Sequence, residues 1–280
     1  MKRLGLFAWF SRAGVADTVE RHKTALSKDY GVSVFDFGGK LPERPEIDLA
    51  VVFGGDGTIL GAARYLAPRG IPAVGLNLGK FGFLAGCRDD RCGEVVRTAL
   101  SGVIEPVART MLTALITANG ANEELTALND IAITSSVATH MIGLDMSING
   151  IQVSCYSGDG LIVATATGST AYNLSSGGPL VTPGEDVLVV TPLAPHTLSI
   201  RPMVISGNDV IDVTVAGRQA DVSVTADGQT ASVIGSDHKV RIRRAPYKFM
   251  LYEDEDWSFY RVVRSKLRWG EEPNYGSDSD

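Results

Sequence analysis

Residues 48–67 read DLAVVFGGDGTILGAARYLA, and this stretch decides the fold. The apolar run Asp48–Phe53 predicts a buried strand, a Gly-Gly pair ends it, and apolar residues at helical spacing follow from Thr58. A buried strand that passes through a glycine turn into a helix is the building unit of a parallel sheet covered by helices. We therefore predict an α/β domain around this unit.

The same alternation of strand and helix fills the first hundred residues. Apolar runs and helical spacing predict strands at Arg3–Phe10, Val32–Phe37 and Ile71–Leu76, and helices at Val15–Lys28, Thr58–Ala67 and Asp89–Leu100. Repeated units of this kind imply a parallel sheet with helices on both of its faces.

After about Val103 the pattern changes to short strands separated by turn signals such as Asn149-Gly150. The predicted strands are Arg109–Ala118, Met141–Ile148, Ile151–Tyr156, Val187–Thr191, Val210–Val215, Asp221–Thr225 and Lys239–Arg244. We therefore predict two domains: an α/β domain from residues 1–103 and 251–280, and a β-rich, sandwich-like domain from residues 104–250. A weak helical pattern in Asp256–Trp269 indicates that the tail returns to the first domain.

The composition sets limits on the partners. The chain has 280 residues, of which 44% are hydrophobic and 21% charged, with a net charge of −6. This balance is typical of a globular protein and argues against a general nucleic-acid binder, which needs a basic surface. Three cysteines do not indicate a disulfide framework. Neither the N-terminus nor the uncharged stretch from Gly160 to Gly184 has the pattern of a signal peptide or a membrane span. We expect a cytoplasmic protein.

The glycine-rich turn is the first candidate site. Gly54, Gly55, Gly57 and Thr58 stand where a strand ends and a helix begins, and their N–H groups suit phosphate oxygens. A carboxylate at such a seat repels phosphate, but it is useful if it accepts the proton of a hydroxyl that attacks phosphorus. Asp56 is therefore a candidate general base. The structural alternative is that Asp56 caps the helix in an Asx-turn.

Two shorter motifs follow. Residues 77–84, NLGKFGFL, are one residue short of a Walker A loop and carry Phe81 where that loop needs Ser or Thr. Phe83 is a candidate pocket residue, and its alternative place is the core. Asn129-Asp130 could form a turn; it could also bind a sugar, because a carboxylate accepts hydroxyl hydrogens and an amide both donates and accepts.

The longest motif runs from Asp159 to Pro179. Between Thr165 and Ser176 it has seven hydroxyl side chains and no charge, which suits a polar dinucleotide, and Tyr172 offers a stacking face. Such a loop cannot balance phosphate charge alone, so glycine amides, a helix dipole or a metal must contribute.

Together these motifs resemble the NAD kinase family. GGDGT is similar to a segment that NAD kinases share with diacylglycerol- and sphingosine-type lipid kinases, whereas the stretch from Asp159 to Pro179 resembles a signature that lipid kinases lack. Pro195-His196 through Arg201-Pro202 and the Asp227-Gly228-Gln229 turn also match. Ala166 departs from the usual proline, and Ser157 is smaller than its usual counterpart. The resemblance extends from the first strand to Trp269.

The resemblance implies ATP-dependent phosphorylation of the 2′-hydroxyl on the adenosine ribose of NAD, with Asp56 as general base and the α/β domain binding ATP. The implied ATP phosphate contacts are Gly54, Gly55, Gly57 and Thr58, and the implied NAD contacts are Asp56, Gly57, Phe83, Asn129, Asp130, His140, Asp159, Thr170, Ala171, Tyr172, Asn173, Leu174, Ser175 and Gln229. Mg²⁺ or another divalent cation would arrive with ATP rather than occupy a site of its own. The counterpart of Asp159 in relatives serves a neighbouring subunit, which implies a homo-oligomer, a tetramer.

Two other functions remain open. A lipid kinase would share GGDGT, but an acyl chain needs an apolar groove where this chain has hydroxyl groups. A sensor that binds NAD or NADP without turnover is the second alternative, against which an intact Asp56 argues. The preference between NAD and NADH, the use of polyphosphate and feedback by the product stay open.

Overall fold

A computed structural model describes residues 1–79, 82–118, 120–136, 141–197, 199–216 and 222–269. The N-terminal part alternates strand and helix as predicted. Its elements are β1 (Arg3–Ala8), α1 (Val15–Leu26), β2 (Gly31–Asp36), β3 (Leu49–Phe53), α2 (Asp56–Leu66), β4 (Ala73–Leu76) and α3 (Cys92–Leu100). Both α2 and α3 differ from the predicted starts: α2 begins two residues earlier, at Asp56, and α3 begins after a 3₁₀ turn, Asp89–Arg91.

The four N-terminal strands are parallel, in the order β2-β1-β3-β4. Side chains alternate across β3, so Ala50 and Val52 pack with α2, while Val51 and Phe53 pack with α1 and α3. Burial on both faces explains why the strand is apolar throughout. The chain runs from β1 to β2 on one side and from β3 to β4 on the other, so the sheet has its topological switch between β1 and β3. Ligands bind at such a switch, beyond the carboxyl ends of the strands.

The second part is β-rich. Its strands are β5 (Val107–Ala118), β6 (Ala121–Ala127), β7 (Asp130–Ser135), β8 (Ile142–Ile148), β9 (Ile151–Gly158), β10 (Gly160–Thr165), β11 (Val187–Leu193), β12 (Met203–Ser206), β13 (Ile211–Ala216), β14 (Val222–Ala226), β15 (Thr230–Ile234) and β16 (Lys239–Tyr252). A sheet in the order β12-β11-β10-β7-β14-β15 packs against strands that include β5, β8, β13 and β16, and their apolar side chains share one core. The predicted fold class, α/β followed by a β-rich part, is confirmed.

Five strands were missing from the prediction: β6, β7, β10, β12 and β15. The sequence of β6, ANEELTA, is mostly exposed and charged, so it lacks the apolar alternation of a typical strand. In β10, by contrast, every residue is buried. A short run that is buried throughout has no alternation of apolar and polar residues by which a strand could be identified. Asp130, which we considered in a turn, is the first residue of β7.

One strand connects the two parts. The first part of β16 pairs with β13, with Lys239 opposite Thr214 and Ile242 opposite Ile211. The last part of β16 pairs in parallel with β4, with Leu251 opposite Ala73. The ten-stranded sheet therefore runs from the α/β part into the β-rich part. The division into 1–103 with 251–280 and 104–250 stays a prediction.

The tail forms α5 (Phe259–Leu267), whose Phe259, Val262 and Val263 are buried. Phe259 contacts Phe83, so the tail lies against the loop after β4, as the weak helical pattern predicted. A four-residue helix, α4 (Tyr172–Ser175), lies within the longest motif. None of the described helices is both long and apolar enough to cross a membrane.

Candidate active site

The glycine turn after β3 is fixed against the end of β4. The Gly54 N–H donates to the Leu76 carbonyl at 3.0 Å. Gly54 has a φ of 153°, and a Cβ there would lie 2.4 Å from Thr58 Oγ1, so a side chain at this position would collide with the first turn of α2. The helix therefore starts directly at Asp56, with its N-terminus at the carboxyl edge of the sheet and the Thr58 N–H donating to the Gly55 carbonyl at 2.9 Å.

The second motif surrounds the Asp56 carboxylate. Oδ2 accepts the Phe83 N–H at 2.9 Å, and Oδ1 accepts those of Leu84 and Ala85 at 3.0 and 3.1 Å. A Cβ on Gly82 would lie 1.9 Å from Oδ1, so only glycine lets the loop approach this closely. A carboxylate has about four acceptor positions. Oδ1 has both of its positions occupied, and Oδ2 retains one.

The third and fourth motifs lie side by side because β7 and β10 are paired, with Asp130 opposite Ala164. The Thr165 N–H donates to the Asn129 carbonyl at 2.8 Å, and a Cβ on Gly168 would lie 2.0 Å from that same oxygen. The loop that carries the hydroxyl groups therefore begins in contact with the Asn129-Asp130 pair.

Within that loop, Asn173 has a structural role that the sequence did not predict. Its side chain is fully buried, Nδ2 donates to the carbonyls of Ser169 and Pro179, and Oδ1 accepts the Thr191 hydroxyl. With all of these atoms engaged inside the protein, the Asn173 side chain shapes the loop instead of lining its surface, which corrects the predicted contact. Tyr172, by contrast, is 46% exposed.

Asp227 organises the backbone of the third motif. Its side chain is fully buried; Oδ1 accepts the N–H groups of Asn129 and Asp130 at 2.7 and 3.4 Å, and Oδ2 accepts that of Leu128 at 3.1 Å. Arg64 of α2 donates to Oδ2 at 2.9 Å and supplies the compensating positive charge. Three amides and a guanidinium together satisfy a carboxylate that would otherwise be costly to bury.

Gln229 extends this contact to the glycine turn. Its Oε1 accepts from Arg64 Nη2 at 2.5 Å and its Nε2 donates to the Gly57 carbonyl at 3.2 Å. Gln229 was predicted to contact the ligand; here both of its amide atoms bind protein groups instead, and they join the first motif to the last. Arg64 was missed by the sequence reasoning. The available signal was a single basic residue within the largely apolar helix α2.

Burial changes the ionisation of Asp130. Removal from water, and then the nearby charge of Asp227, raise the pKa of Asp130 to about 7. Burial also raises the pKa of Asp227, although its three amide donors and Arg64 act in the opposite direction. Asp130 therefore changes charge near neutral pH.

A cavity of about 520 Å³ opens between α1 and the loop after β4, beside the topological switch. Gly14 and Asn77 line it, together with two cationic side chains, Arg21 and Arg88. Both arginines are paired at the rim, with Asp89 and Asp90 respectively. Near the switch, the Arg12 guanidinium donates to Thr58 Oγ1 at 3.3 Å. Each of these cations was missed by the sequence reasoning, because none of them stands in a recognisable motif.

The tail also contributes to the site. Lys266 Nζ lies 3.7 Å from Asp56 Oδ2 and 5.4 Å from the centre of the half-buried Phe83 ring. The Phe83 N–H donates to Asp56, so the ring lies next to this carboxylate, and its predicted contact with the ligand stays a prediction. Lys266 was not predicted as a site residue, because basic residues are common in the last turn of a helix, where they interact favourably with the helix dipole.

One predicted residue, Asp159, lies elsewhere. Asp159 precedes β10 and is exposed, whereas Thr165 ends that strand, so at the usual rise the two are about 20 Å apart. Around Asp159 lie Ser157, also exposed, and His196, whose N–H donates to the Ser157 carbonyl at 3.0 Å. His140 lies outside the described residues.

Two family models match the chain. The ATP-NAD kinase N-terminal domain matches residues 39–105, and the ATP-NAD kinase C-terminal domain matches residues 128–253. Both halves of the site, from the glycine turn to the Asp227 turn, fall within these matches.

Curated relatives and solved structures agree with the family models. The chain is 36% identical to a NAD kinase of Geobacter sulfurreducens, covering 95% of this chain and 92% of the relative, and 38% identical to one of Methylococcus capsulatus, covering 82% and 81%. The fold is similar to that of yeast NADH kinase in complex with NADH, with a TM-score of 0.88 at 20% identity over 99% of this chain and 90% of that one. It is also similar to a NAD kinase from Archaeoglobus fulgidus in complex with ATP, with a TM-score of 0.76 at 27% identity over 95% and 98%.

Proposed function

The chain belongs to the NAD kinase family, and on this premise we propose that it transfers the γ-phosphoryl group of ATP to the 2′-hydroxyl on the adenosine ribose of NAD, which gives NADP. One observation carries the proposal: a continuous series of contacts joins all five motifs to the turn that carries Asp56. The GFL loop binds the Asp56 carboxylate, Gln229 of the Asp227 turn binds Gly57, Asp227 binds the Asn129 amide, and the Asn129 carbonyl binds the start of the hydroxyl-rich loop. Phosphoryl transfer needs little else from a protein than positioning and charge stabilisation.

Asp56 acts as the general base through Oδ2. Oδ1 has two N–H donors already, so a ribose hydroxyl can be accepted at Oδ2 only. The loop amides keep the carboxylate in one orientation. This preorganisation directs the base at the hydroxyl and limits rearrangement during the reaction.

The acceptor lies on the β-rich side of Asp56. Asn129 and Asp130 bind the ribose and its neighbouring groups, and the run Thr170–Ser175 borders the dinucleotide through its hydroxyl groups and backbone. Tyr172 and Phe83 provide the stacking faces. This surface is supported by hydrogen bonds from the side chains of Asn173, Gln229 and Asp227 to other protein groups.

The donor lies on the α/β side. The amides of Gly55 and Gly57 at the start of α2 bind its phosphates, where the helix dipole favours negative charge. Gly54 and Thr58, the other two predicted phosphate contacts, shape this turn instead, because their N–H groups donate to the Leu76 and Gly55 carbonyls. The cavity beside α1, of about 520 Å³, suits a nucleotide in size. Arg21 and Arg88 line its wall, but Asp89 and Asp90 offset their charge, so the helix N-terminus and the cation that arrives with ATP supply most of the positive charge that the hydroxyl-rich loop lacks.

A divalent cation such as Mg²⁺ enters with ATP. The protein donors nearest the phosphate seat are the Asp56 carboxylate and the Thr58 hydroxyl, hard oxygen ligands of the kind that Mg²⁺ prefers. The cation, when bound, neutralises phosphate charge. We assign it no dedicated protein site.

Asp159 serves a second site in this proposal. It lies about 20 Å from Thr165 at the other end of β10, away from the groups gathered near Asp56 of its own chain. It reaches the NAD bound by another copy, which makes the protein a homo-oligomer; a tetramer in the cytoplasm is the expected form. Ile151 and Val153 are exposed at the start of the edge strand β9, which leads into Asp159, and they support an interface along that strand.

A coupled assay tests the proposal. Purified protein is incubated with NAD, ATP and Mg²⁺, and an NADP-specific dehydrogenase reports the product. We expect NADP formation that Asp56→Asn abolishes while NAD binding persists. NAD binding without turnover in the wild type would favour the sensor alternative. The lipid-kinase alternative shares only GGDGT, whereas the family matches cover both parts of the chain; phosphorylation of diacylglycerol or sphingosine in place of NAD would revive it.

A further inference from the structure

Helix α5 places one cation beside the Asp56 carboxylate. Lys266 Nζ lies 3.7 Å from Oδ2, and the helix that carries it is anchored by buried Phe259, Val262 and Val263. Lys266 follows Val262 by four residues and Val263 by three, so it extends from the same face of the helix that packs on the protein. The approach to Asp56 is therefore a consequence of how α5 docks.

An ordinary surface ion pair is the simplest alternative reading. The last turn of a helix favours basic residues, and an exposed pair of this kind contributes little to stability. Two features separate Lys266 from that case. The Lys266 side chain is only 37% exposed, and its ammonium group lies 5.4 Å above the Phe83 ring, which belongs to the loop that holds Asp56.

The geometry around Asp56 determines where the reaction can take place. Oδ1 is filled by the Leu84 and Ala85 amides, so the attacking hydroxyl must approach Oδ2, the oxygen nearest Lys266. A hydroxyl that donates to Oδ2 lies about 2.7 Å from it. The phosphoryl group that arrives at that hydroxyl is then within range of the flexible four-carbon side chain of Lys266.

We propose that Lys266 is a further catalytic residue, whose ammonium group contacts the transferred phosphoryl group; this inference rests on the proposed function. The 2′-oxygen forms a bond to the γ-phosphorus, and the bond from that phosphorus to the β–γ bridging oxygen breaks, so that ADP leaves with the electron pair. The hydroxyl proton goes to Asp56 Oδ2. Lys266 keeps its protons and donates a hydrogen bond to a γ-oxygen.

This assignment gives Lys266 a negative partner at every stage. Before the reaction its ammonium group lies beside the Asp56 carboxylate, and as that carboxylate takes up the proton, the negative charge beside Lys266 is that of the phosphoryl oxygens. Because the interaction with the phosphoryl group strengthens in the transition state, its loss lowers kcat more than it raises KM for NAD.

Variants at position 266 test the proposal, with NADP formation by the wild type measured first. We expect Lys266→Met to lower kcat by about 100-fold, as the loss of one such donor does elsewhere, with KM for NAD changed less than about threefold. Lys266→Arg should recover part of the loss, and ethylammonium should restore activity to Lys266→Ala. Arg264→Met, in the same turn of α5, is the matched control and should keep wild-type kcat and melting temperature.

The outcomes separate the two levels of the argument. A wild type without NADP formation would overturn the proposed function and this inference with it. An active wild type together with Lys266→Met at wild-type kcat would overturn the inference alone. A third result would also overturn the inference: Lys266→Ala loses kcat together with melting temperature, and ethylammonium does not restore its activity. That is the behaviour of a structural contact.

Discussion

Strand β10 has a different environment at each of its ends. At the Thr165 end, the Thr165 amide and hydroxyl, the Asn129 carbonyl and the Asp227 carboxylate all bind other protein groups, and most of these atoms are buried. At the other end, Asp159 and Ser157 are exposed.

The difference indicates two kinds of binding surface. The Thr165 end is preorganised, since its polar groups are positioned by bonds within the chain before any ligand arrives. On the proposed function the Asp159 end acts on another molecule, since its exposed carboxylate has no such partner among the described residues. Substitutions should therefore damage the fold and the site together at the first end, and binding alone at the second.

The largest effect is expected for Asp227→Ala. This change leaves Arg64 with an uncompensated charge and three backbone N–H groups without their acceptor, so we expect a loss of about 3–5 kcal/mol in the free energy of unfolding and of most NADP formation. Urea denaturation measures the free energy of unfolding, and the coupled assay measures NADP formation. Asp227→Asn, which keeps one acceptor oxygen, should lose less. An unchanged urea midpoint in Asp227→Ala would mean that the Thr165 end does not depend on this carboxylate.

Gly168→Ala comes next. A Cβ there would lie 2.0 Å from the Asn129 carbonyl oxygen, so the backbone of the third or fourth motif must shift, at a cost of about 1–3 kcal/mol in stability and with a higher KM for NAD. Gly93→Ala in α3 is the matched control, because a Cβ at Gly93 meets nothing within 4 Å. If both variants kept the wild-type KM and melting temperature, the close contact would not be what positions Asn129.

The two ends also differ in how well the sequence predicted them. The position of Asp56 followed from a local pattern, a buried strand that ends in glycine before a helix. Its contact with the Phe83 loop was not predicted; the structure brings the two together because β3 and β4 are parallel neighbours that end at one edge. The pairing of Asn129 with the hydroxyl-rich loop required β7 and β10, neither of which has a readable period.

The direction in which a side chain points could not be predicted from the sequence, for a different reason. Asn173 and Gln229 stand in motifs that suggest ligand contact, but their amides bind protein groups instead. Arg64 and Asp227 are 163 residues apart, and Lys266 meets Asp56 from the opposite end of the chain. Composition and period describe the chemistry and the local conformation of a residue. They do not say which distant charge it meets, because that depends on how the sheets and helices pack.

The pH dependence of NAD binding is a smaller test of the Thr165 end. The pKa of Asp130 is raised to about 7, and only its ionised form accepts two ribose hydroxyl hydrogens. Since ionisation increases as the pH rises through 7, we expect KM for NAD to fall by up to about tenfold between pH 6 and pH 8. Asp130→Asn should have a flat profile over this range. The same slope in wild type and Asp130→Asn would assign the titration to another group.

The smallest effect on stability is expected at the other end of β10, for Asp159→Asn. An exposed carboxylate with solvent around it contributes little to folding, so the free energy of unfolding should change by less than about 0.5 kcal/mol. If Asp159 contacts the NAD bound by another copy, the substitution should still raise KM for NAD, and the increase should disappear under conditions that dissociate the oligomer, as followed by analytical ultracentrifugation. Glu185→Gln removes the same charge from an exposed loop and should change neither quantity. A rise in KM that persists in dissociated protein would mean that Asp159 acts within its own chain, and the contrast between the two ends of β10 would then be one of exposure alone.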